Sequence, residues 1–301
     1  MDRVVIGTRA SALAVAQAGS VQAQLRHLFP KIDFQLKWIR TQGDKTDVLP
    51  GRHAKTAGFF TKEIEEALLS KKIDIALHSL KDLPTRGPEA LQVAAVLRRE
   101  TPQDGLVTPG GRSLFELPPG ARIGTGSARR KAQLLHFNAA FEVVGVRGNL
   151  DTRLRKLEEG AFEALVVALA GLRRLGLEDG KVWPIPYEVM LPAPGQGALA
   201  LQIRRNEKAL QEMVLRLNDA ATERCVAAER AFLSRLGGGC QLPLGALALV
   251  QGEEMLLEGV LMSENGQKKI RTSLCGKDDP FRLGERLGEQ FFNLGAATLL
   301  K

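Results

Sequence analysis

Three settings in this chain suit chemistry: a glycine-framed cysteine, a Lys-Asp pair ending an apolar strand, and arginines at helix starts. Cys240 stands in GGGCQLP (237–243), with three glycines before it and Pro243 after it, which makes an exposed, tightly shaped loop. A thiolate there could attack a carbon centre or be alkylated; an incidental loop cysteine is the plain alternative. Cys225 falls on the apolar stripe of a helix and reads as core, while Cys275 follows a strand and has no partner motif. These spacings match no zinc or disulfide framework.

The run DIALHSLKDLP (74–84) is a buried strand that breaks into His78-Ser79-Leu80-Lys81-Asp82 before Pro84. The carboxyl end of such a strand is where α/β active sites form. Asp82 is placed to stabilise a cationic intermediate or pass protons, and Lys81 to hold an anionic group. An aspartate that merely closes a turn before proline is the competing account, and His78 reads as structural.

Serine and arginine recur at strand-to-helix turns: Arg9 with Ser11 in IGTRAS (6–11), and Ser127 with Arg129 and Arg130 in IGTGSARR (123–130). Arg147 and Arg153 flank Asn149 in VRGNLDTRLRKL (146–157), and Arg174 lies in ALAGLRRLGL (168–177). Free N–H groups at a helix start favour anions, and a guanidinium grips a carboxylate through two parallel hydrogen bonds. A solvated helix face accounts for any single arginine. The set points to a ligand with several carboxylates or phosphates. None of the turns is a Walker loop or a complete dinucleotide fingerprint.

The elements that must position these residues alternate. Strand patterns at 3–7, 34–39, 73–78, 93–97, 104–107, 141–146, 164–168 and 198–203 are interleaved with helical ones at 11–29, 62–69, 127–137, 150–159 and 207–217. This predicts an α/β protein with largely parallel sheets. The echo between IGTRAS and IGTGSARR suggests two similar lobes. From about residue 220 a helix (222–236), strands at 246–250, 255–262 and 268–274, and a last helix from Pro280 predict a small α+β domain. The expected organisation is a first lobe of 1–98 with 198–217, a second lobe of 103–192, and a C-terminal domain of 220–301 carrying Cys240.

With a net charge of +8 and 5% aromatics, including the single Tyr187, the chain has few stacking platforms for nucleic acid. No apolar run approaches the ~18 residues of a membrane span, and MDRVVIGTRAS enters a strand without a signal-peptide core. The expectation is a protein of the reducing cytoplasm, with neither nucleic acid nor membrane as partner.

In order along nearly the whole chain, IGTRASALA, FFTKEIEEALL, DIALHSLKDLP, IGTGSARR, VRGNLDTRL, ALAGLRRLGL, PAPGQGALAL and GGGCQLPLG resemble the porphobilinogen deaminase (hydroxymethylbilane synthase) family. The resemblance implies two doubly wound α/β lobes like those of two-lobed anion-binding proteins, plus a small α+β domain. It implies a monomeric transferase that condenses four porphobilinogen molecules head to tail, releasing ammonia, into hydroxymethylbilane. A dipyrromethane cofactor would be bound through a thioether to Cys240, with Asp82 catalytic. Lys81, Ser127, Arg129 and Arg130 would bind the cofactor; Arg9, Ser11, Gln17, Arg147, Arg153, Arg174 and Gln196 would bind substrate. No metal is implied. Two departures stand out. HAKTAGFF (53–60) replaces a GGKG-type lid stretch, with Ala57 at the usual second lysine and Lys55 left as the nearest cation, and Gly126 stands where a second hydroxyl residue is common. The rival classes are an anion-binding receptor without chemistry, which needs an export signal and has no use for Cys240, and a basic nucleic-acid binder.

Overall fold

The computed structural model describes residues 1–44, 60–238, 242–277 and 279–300. They fall into two compact units, Met1–Arg99 with Ala198–Glu223, and Glu100–Gly197 with Arg224–Lys301.

The chain opens with β1 (Arg3–Arg9), α1 (Ala12–Leu28), β2 (Asp33–Ile39), α2 (Lys62–Leu69), β3 (Ile75–Ser79) and β4 (Leu91–Val96). It then builds β5 (Asp104–Val107), β6 (Arg122–Gly124), α3 (Ala128–Phe137), β7 (Glu142–Val144), α4 (Leu150–Glu158), β8 (Ala164–Ala168), α5 (Leu169–Arg174) and β9 (Val182–Pro184). After β10 (Leu199–Arg204) and α6 (Lys208–Leu215) come α7 (Ala220–Arg235), β11 (Leu244–Gln251), β12 (Glu254–Met262), β13 (Lys269–Gly276) and α8 (Pro280–Asn293). The short elements β9 and α5 escape the sequence patterns because three to six residues span too little of a period to show one.

The first sheet runs β2-β1-β3-β10-β4 and the second β7-β6-β8-β5-β9. The two orders correspond, with β10 and β5 in equivalent places; β10 reaches the first sheet from a distant stretch of chain, whereas β5 is the strand just before β6. The expected largely parallel arrangement is corrected here. Parallel pairing holds for β2-β1-β3 and β7-β6-β8, but β10 and β5 are antiparallel to both neighbours. An apolar run signals burial, not direction; direction follows from whether a helical crossover feeds the strand.

Alternation along the strands covers both faces of each sheet, as a doubly wound fold requires. Val4 and Ile6 enter one core with Val21, Leu25 and Phe34, while Val5 leans on another with Ile64 and Leu68. In β8, Ala164 and Val166 face Leu134 and Ile123, whereas Leu165 and Val167 face Leu157 and Leu172. Burying each such Leu, Ile or Val contributes roughly 1.5–3 kcal/mol. Helix α1 starts at the Ser11 cap and carries Ala14, Gln17, Ala18, Val21 and Leu25 inward at helical spacing.

Strands β11, β12 and β13 form an antiparallel meander. One core joins it to α7 and α8, where Phe232 and Phe291 meet edge to face at 4.8 Å. On the other side, Leu247, Val260 and Met262 pack with Ala132 of α3, Leu191 and Tyr187. The turn between β12 and β13 locks onto the same helix, where His136 Nδ1 and the Gly266 carbonyl oxygen lie 2.9 Å apart. Gly266 has φ +71°, and a Cβ there would press on the Ala132 carbonyl and approach the backbone nitrogen of His136 to 2.7 Å. Gly266→Ala is expected to destabilise the fold by about 2–3 kcal/mol in urea unfolding, combining left-handed strain with the clash. Gly120→Ala is the control, since its φ is +81° with nothing near the added carbon; it should lose only the backbone part.

Candidate active site

In the first unit, parallel β1 and β3 are adjacent, with Ile6 opposite Ile75 and Gly7 opposite Ala76. Their carboxyl ends therefore bring the Arg9–Ser11 turn and the Lys81–Asp82 turn to one sheet edge. The Ser11 hydroxyl accepts from the Ala14 N–H at 3.4 Å and caps α1. The Arg9 guanidinium lies over the Phe60 ring, 4.4 Å from its centroid, a favourable cation–π contact. Gln17 is buried in α1. Lys81 and Asp82 form a single 3₁₀ turn after β3, with Lys81 half-buried and Asp82 exposed.

Behind this turn lies a buried chain of side chains that sequence reasoning missed. Gln202 of β10 donates from Nε2 to Glu65 Oε1 at 3.0 Å, leaving its Oε1 to accept from His78 Nε2 at 3.1 Å. His78 Nε2 therefore carries a proton, and the pKa that burial lowers leaves the ring neutral near pH 7. Burial pulls its pKa from 6.5 to about 4, against the opposing hydrogen bond from Gln202. Between pH 6.5 and about 4 the unfolded chain holds this proton and the folded chain does not, so stability falls as pH drops through that window. The gap corresponds to about 3 kcal/mol. Burial raises the Glu65 pKa, with the opposite effect on stability. Urea midpoints measured across this range should therefore fall less steeply in His78→Gln than in the natural protein, Glu65 being common to both.

In the second unit, β7, β6 and β8 are parallel neighbours. Their carboxyl ends gather Ser127, Arg129 and Arg130 after β6, Arg147 and Arg153 after β7, and Arg174 after β8. The Ser127 hydroxyl accepts from the Arg130 N–H at 3.4 Å, repeating the Ser11 cap. Arg153 Nε donates to the Gly148 carbonyl at 2.8 Å, and Arg174 Nη2 to that of Gly197 at 2.6 Å. Burial lowers the Arg174 pKa, with Glu100 pulling the other way. A Cβ on Gly126 would come within 2.6 Å of the Val146 carbonyl oxygen, so the backbone of the Arg147 loop fills the space a hydroxyl side chain would need.

The centre of this cluster is Asp104, which sequence reading treats only as the first residue of a strand-like run. It is fully buried. Its Oδ1 accepts from Arg130 Nε at 3.0 Å, Arg130 Nη2 at 2.8 Å and Gln196 Nε2 at 2.9 Å; its Oδ2 accepts from Arg129 Nη1 at 2.6 Å. Burial alone would push this carboxyl up. The pull of Arg129 and Arg130, with the hydrogen bonds from Arg129 and Gln196, outweighs it and holds Asp104 well below the usual carboxylate range. A charged residue heading a buried strand is the one sequence signal that could have exposed it.

Arg129 and Arg130 are 4% and 6% exposed. Among the described residues the buried Nε atoms of Arg129 and Arg147 have no hydrogen-bond partner. Such nitrogens are costly unless an anion completes them, so the arginine set fits a ligand bearing carboxylates.

Residues 4–212 match the family model "Porphobilinogen deaminase, dipyromethane cofactor binding domain", and residues 223–293 match "Porphobilinogen deaminase, C-terminal domain". The chain belongs to the porphobilinogen deaminase family. Curated relatives named porphobilinogen deaminase include those of Desulforudis audaxviator, 46% identical over 99% of this chain and 96% of the relative, and Rubrobacter xylanophilus, with the same values. That of Pelotomaculum thermopropionicum is 44% identical over the same shares. Solved structures overlap more loosely: a probable amino-acid ABC transporter extracellular-binding protein from Bacillus subtilis is 13% identical over 71% of this chain and 89% of its own, at a TM-score of 0.42. Cys240, the expected cofactor anchor, and Lys55 and Ala57 of the expected lid stretch lie outside the described residues. None of the described helices is long and apolar enough to cross a membrane.

Proposed function

We propose that this chain condenses four porphobilinogen molecules head to tail, with loss of ammonia at each, into hydroxymethylbilane. The reading is carried by the unpartnered, buried Nε atoms of Arg129 and Arg147 in a chain matched almost end to end by the family. Each porphobilinogen brings an acetate and a propionate, and placing these in a closed site requires cations. Arg9, Ser11, Gln17, Arg147, Arg153, Arg174 and Gln196 serve substrate carboxylates; Lys81, Ser127, Arg129 and Arg130 serve those of the dipyrromethane group on Cys240. When bound, that group supplies the free pyrrole end on which the product is extended. Asp82, exposed after β3, stabilises the positive charge that develops on the substrate pyrrole nitrogen as ammonia leaves, and takes part in proton transfer.

The reading includes the lobe division 1–98 with 198–217, 103–192 and 220–301, and a monomer of the cytoplasm. Purified protein given porphobilinogen should release one ammonia per molecule consumed and one hydroxymethylbilane per four. Its intact mass should exceed the polypeptide by two pyrrole units. Consumption with another stoichiometry, or active protein of bare polypeptide mass, would overturn the proposal.

A further inference from the structure

Asn265 is the one asparagine of this chain that a glycine follows. Such a pair can modify itself. The backbone nitrogen of the glycine, once its proton has passed to water, attacks Cγ of the asparagine side chain; the Cγ–Nδ2 bond breaks and ammonia leaves. The succinimide so formed takes up water at either carbonyl, which gives aspartate or isoaspartate at that position. Glycine permits the approach because it has no Cβ and its backbone turns freely. Asn265 is exposed in the turn between β12 and β13, so water has access.

We infer that Asn265-Gly266 is a latent self-modification site, held unreactive by the docking of the β12–β13 turn on α3. The nucleophile is engaged, since the Gly266 N–H donates to the Ser263 carbonyl at 2.9 Å. The side chain under attack is fixed as well: Asn265 Oδ1 accepts from Ser263 Oγ at 2.7 Å and from the Gln267 N–H at 3.2 Å. Ser263 in turn accepts at Oγ from the Lys268 N–H at 2.9 Å. Two donors on Oδ1 would ease attack on Cγ by taking up the negative charge that develops there, so the brake lies with Gly266. That residue is buried, at φ +71°, against the Ala132 carbonyl and the His136 backbone. A carbonyl oxygen only accepts, so His136 Nδ1 donates to that of Gly266 at 2.9 Å. Turning Gly266 towards the side chain breaks both of its hydrogen bonds and drives it into α3. Reaction therefore waits for the turn to lift off the helix, a local opening. Isoaspartate makes the lift permanent. It inserts one more backbone carbon before a residue that has no room for a Cβ, and it adds a carboxylate.

The test incubates the full-length natural protein, His136→Ala and His136→Asn at mildly alkaline pH, below their thermal midpoints. Peptide mass spectrometry reads aspartate and isoaspartate formed at position 265. The folded natural protein should react at least about thirtyfold more slowly than the same chain unfolded in guanidinium chloride, the protection given by an opening that breaks two hydrogen bonds and apolar contacts. His136→Ala should react about five- to tenfold faster than the natural protein, the effect of one lost hydrogen bond. His136→Asn keeps a donor near the place of Nδ1 and should stay within about twofold of the natural rate. Amide hydrogen exchange across 263–268 should quicken in His136→Ala by the same factor, while exchange in the α7–α8 core stays unchanged; that separates lifting of the turn from global unfolding. Equal rates in the folded and unfolded natural protein, or an unaltered rate in folded His136→Ala, would overturn the inference. If His136→Ala does not fold, the natural protein decides: a large folded-to-unfolded difference with slow exchange across 263–268 supports the inference, and a ratio near one defeats it.

Discussion

Replacing Asp82 with Asn is expected to lower turnover roughly 10²–10⁴-fold, the range for a group that handles charge and protons in the transition state. The substitution preserves the shape of a side chain that is exposed after β3, so unfolding is not the expected outcome. Asparagine can still accept a hydrogen bond, but it carries no charge to oppose the cation that forms as ammonia leaves, and it cannot take up a proton near neutral pH. The mass of two pyrrole units should remain, because holding that group falls to Cys240 and the cations. Steady-state turnover combined with intact mass reads both. A variant that keeps most of its rate removes Asp82 from the chemistry.

The second large effect is at Cys240. Cys240→Ser should give protein of bare polypeptide mass and turnover at background, because a serine hydroxyl is far less ionised than a thiol near pH 7 and a poorer nucleophile towards carbon. The other two cysteines are poor substitutes. Cys225 is buried in the α7–α8 core. Cys275 is exposed, but its thiol donates to Glu254 at 3.3 Å, and that hydrogen bond pushes its pKa up and leaves less thiolate. Cys275→Ser should therefore load normally. Loading that survives in Cys240→Ser would move the anchor elsewhere.

Much of the positioning was legible in the chain before any coordinates. The helix starts at Ser11 and Ser127 and the Asp279-Pro280 start of α8 follow from capping chemistry read within three or four residues. The arginine turns were visible for the same reason, since a strand ending in glycine and serine before a helix is a local pattern. The lid stretch and Cys240 are legible only as sequence.

Other features were not legible because they depend on partners far apart in the chain. Asp104 meets Arg129 and Arg130 across about two dozen residues and Gln196 across 92, and no local pattern marks such a meeting. The Glu65–Gln202–His78 chain spans separations of 137 and 124 residues. It turns a histidine that could pass for a base into a neutral buried one.

By itself, the order of residue types determined the α/β alternation, the capped helix starts, the arginine turns and the family, because each is written in short-range spacing or in motif order. Only the tertiary structure decided the directions of β5 and β10, the neutral state of His78, and which arginine nitrogens are already spent. Those outcomes depend on which groups share a low-dielectric interior, where an unpaired charge or donor is costly and every available partner is used.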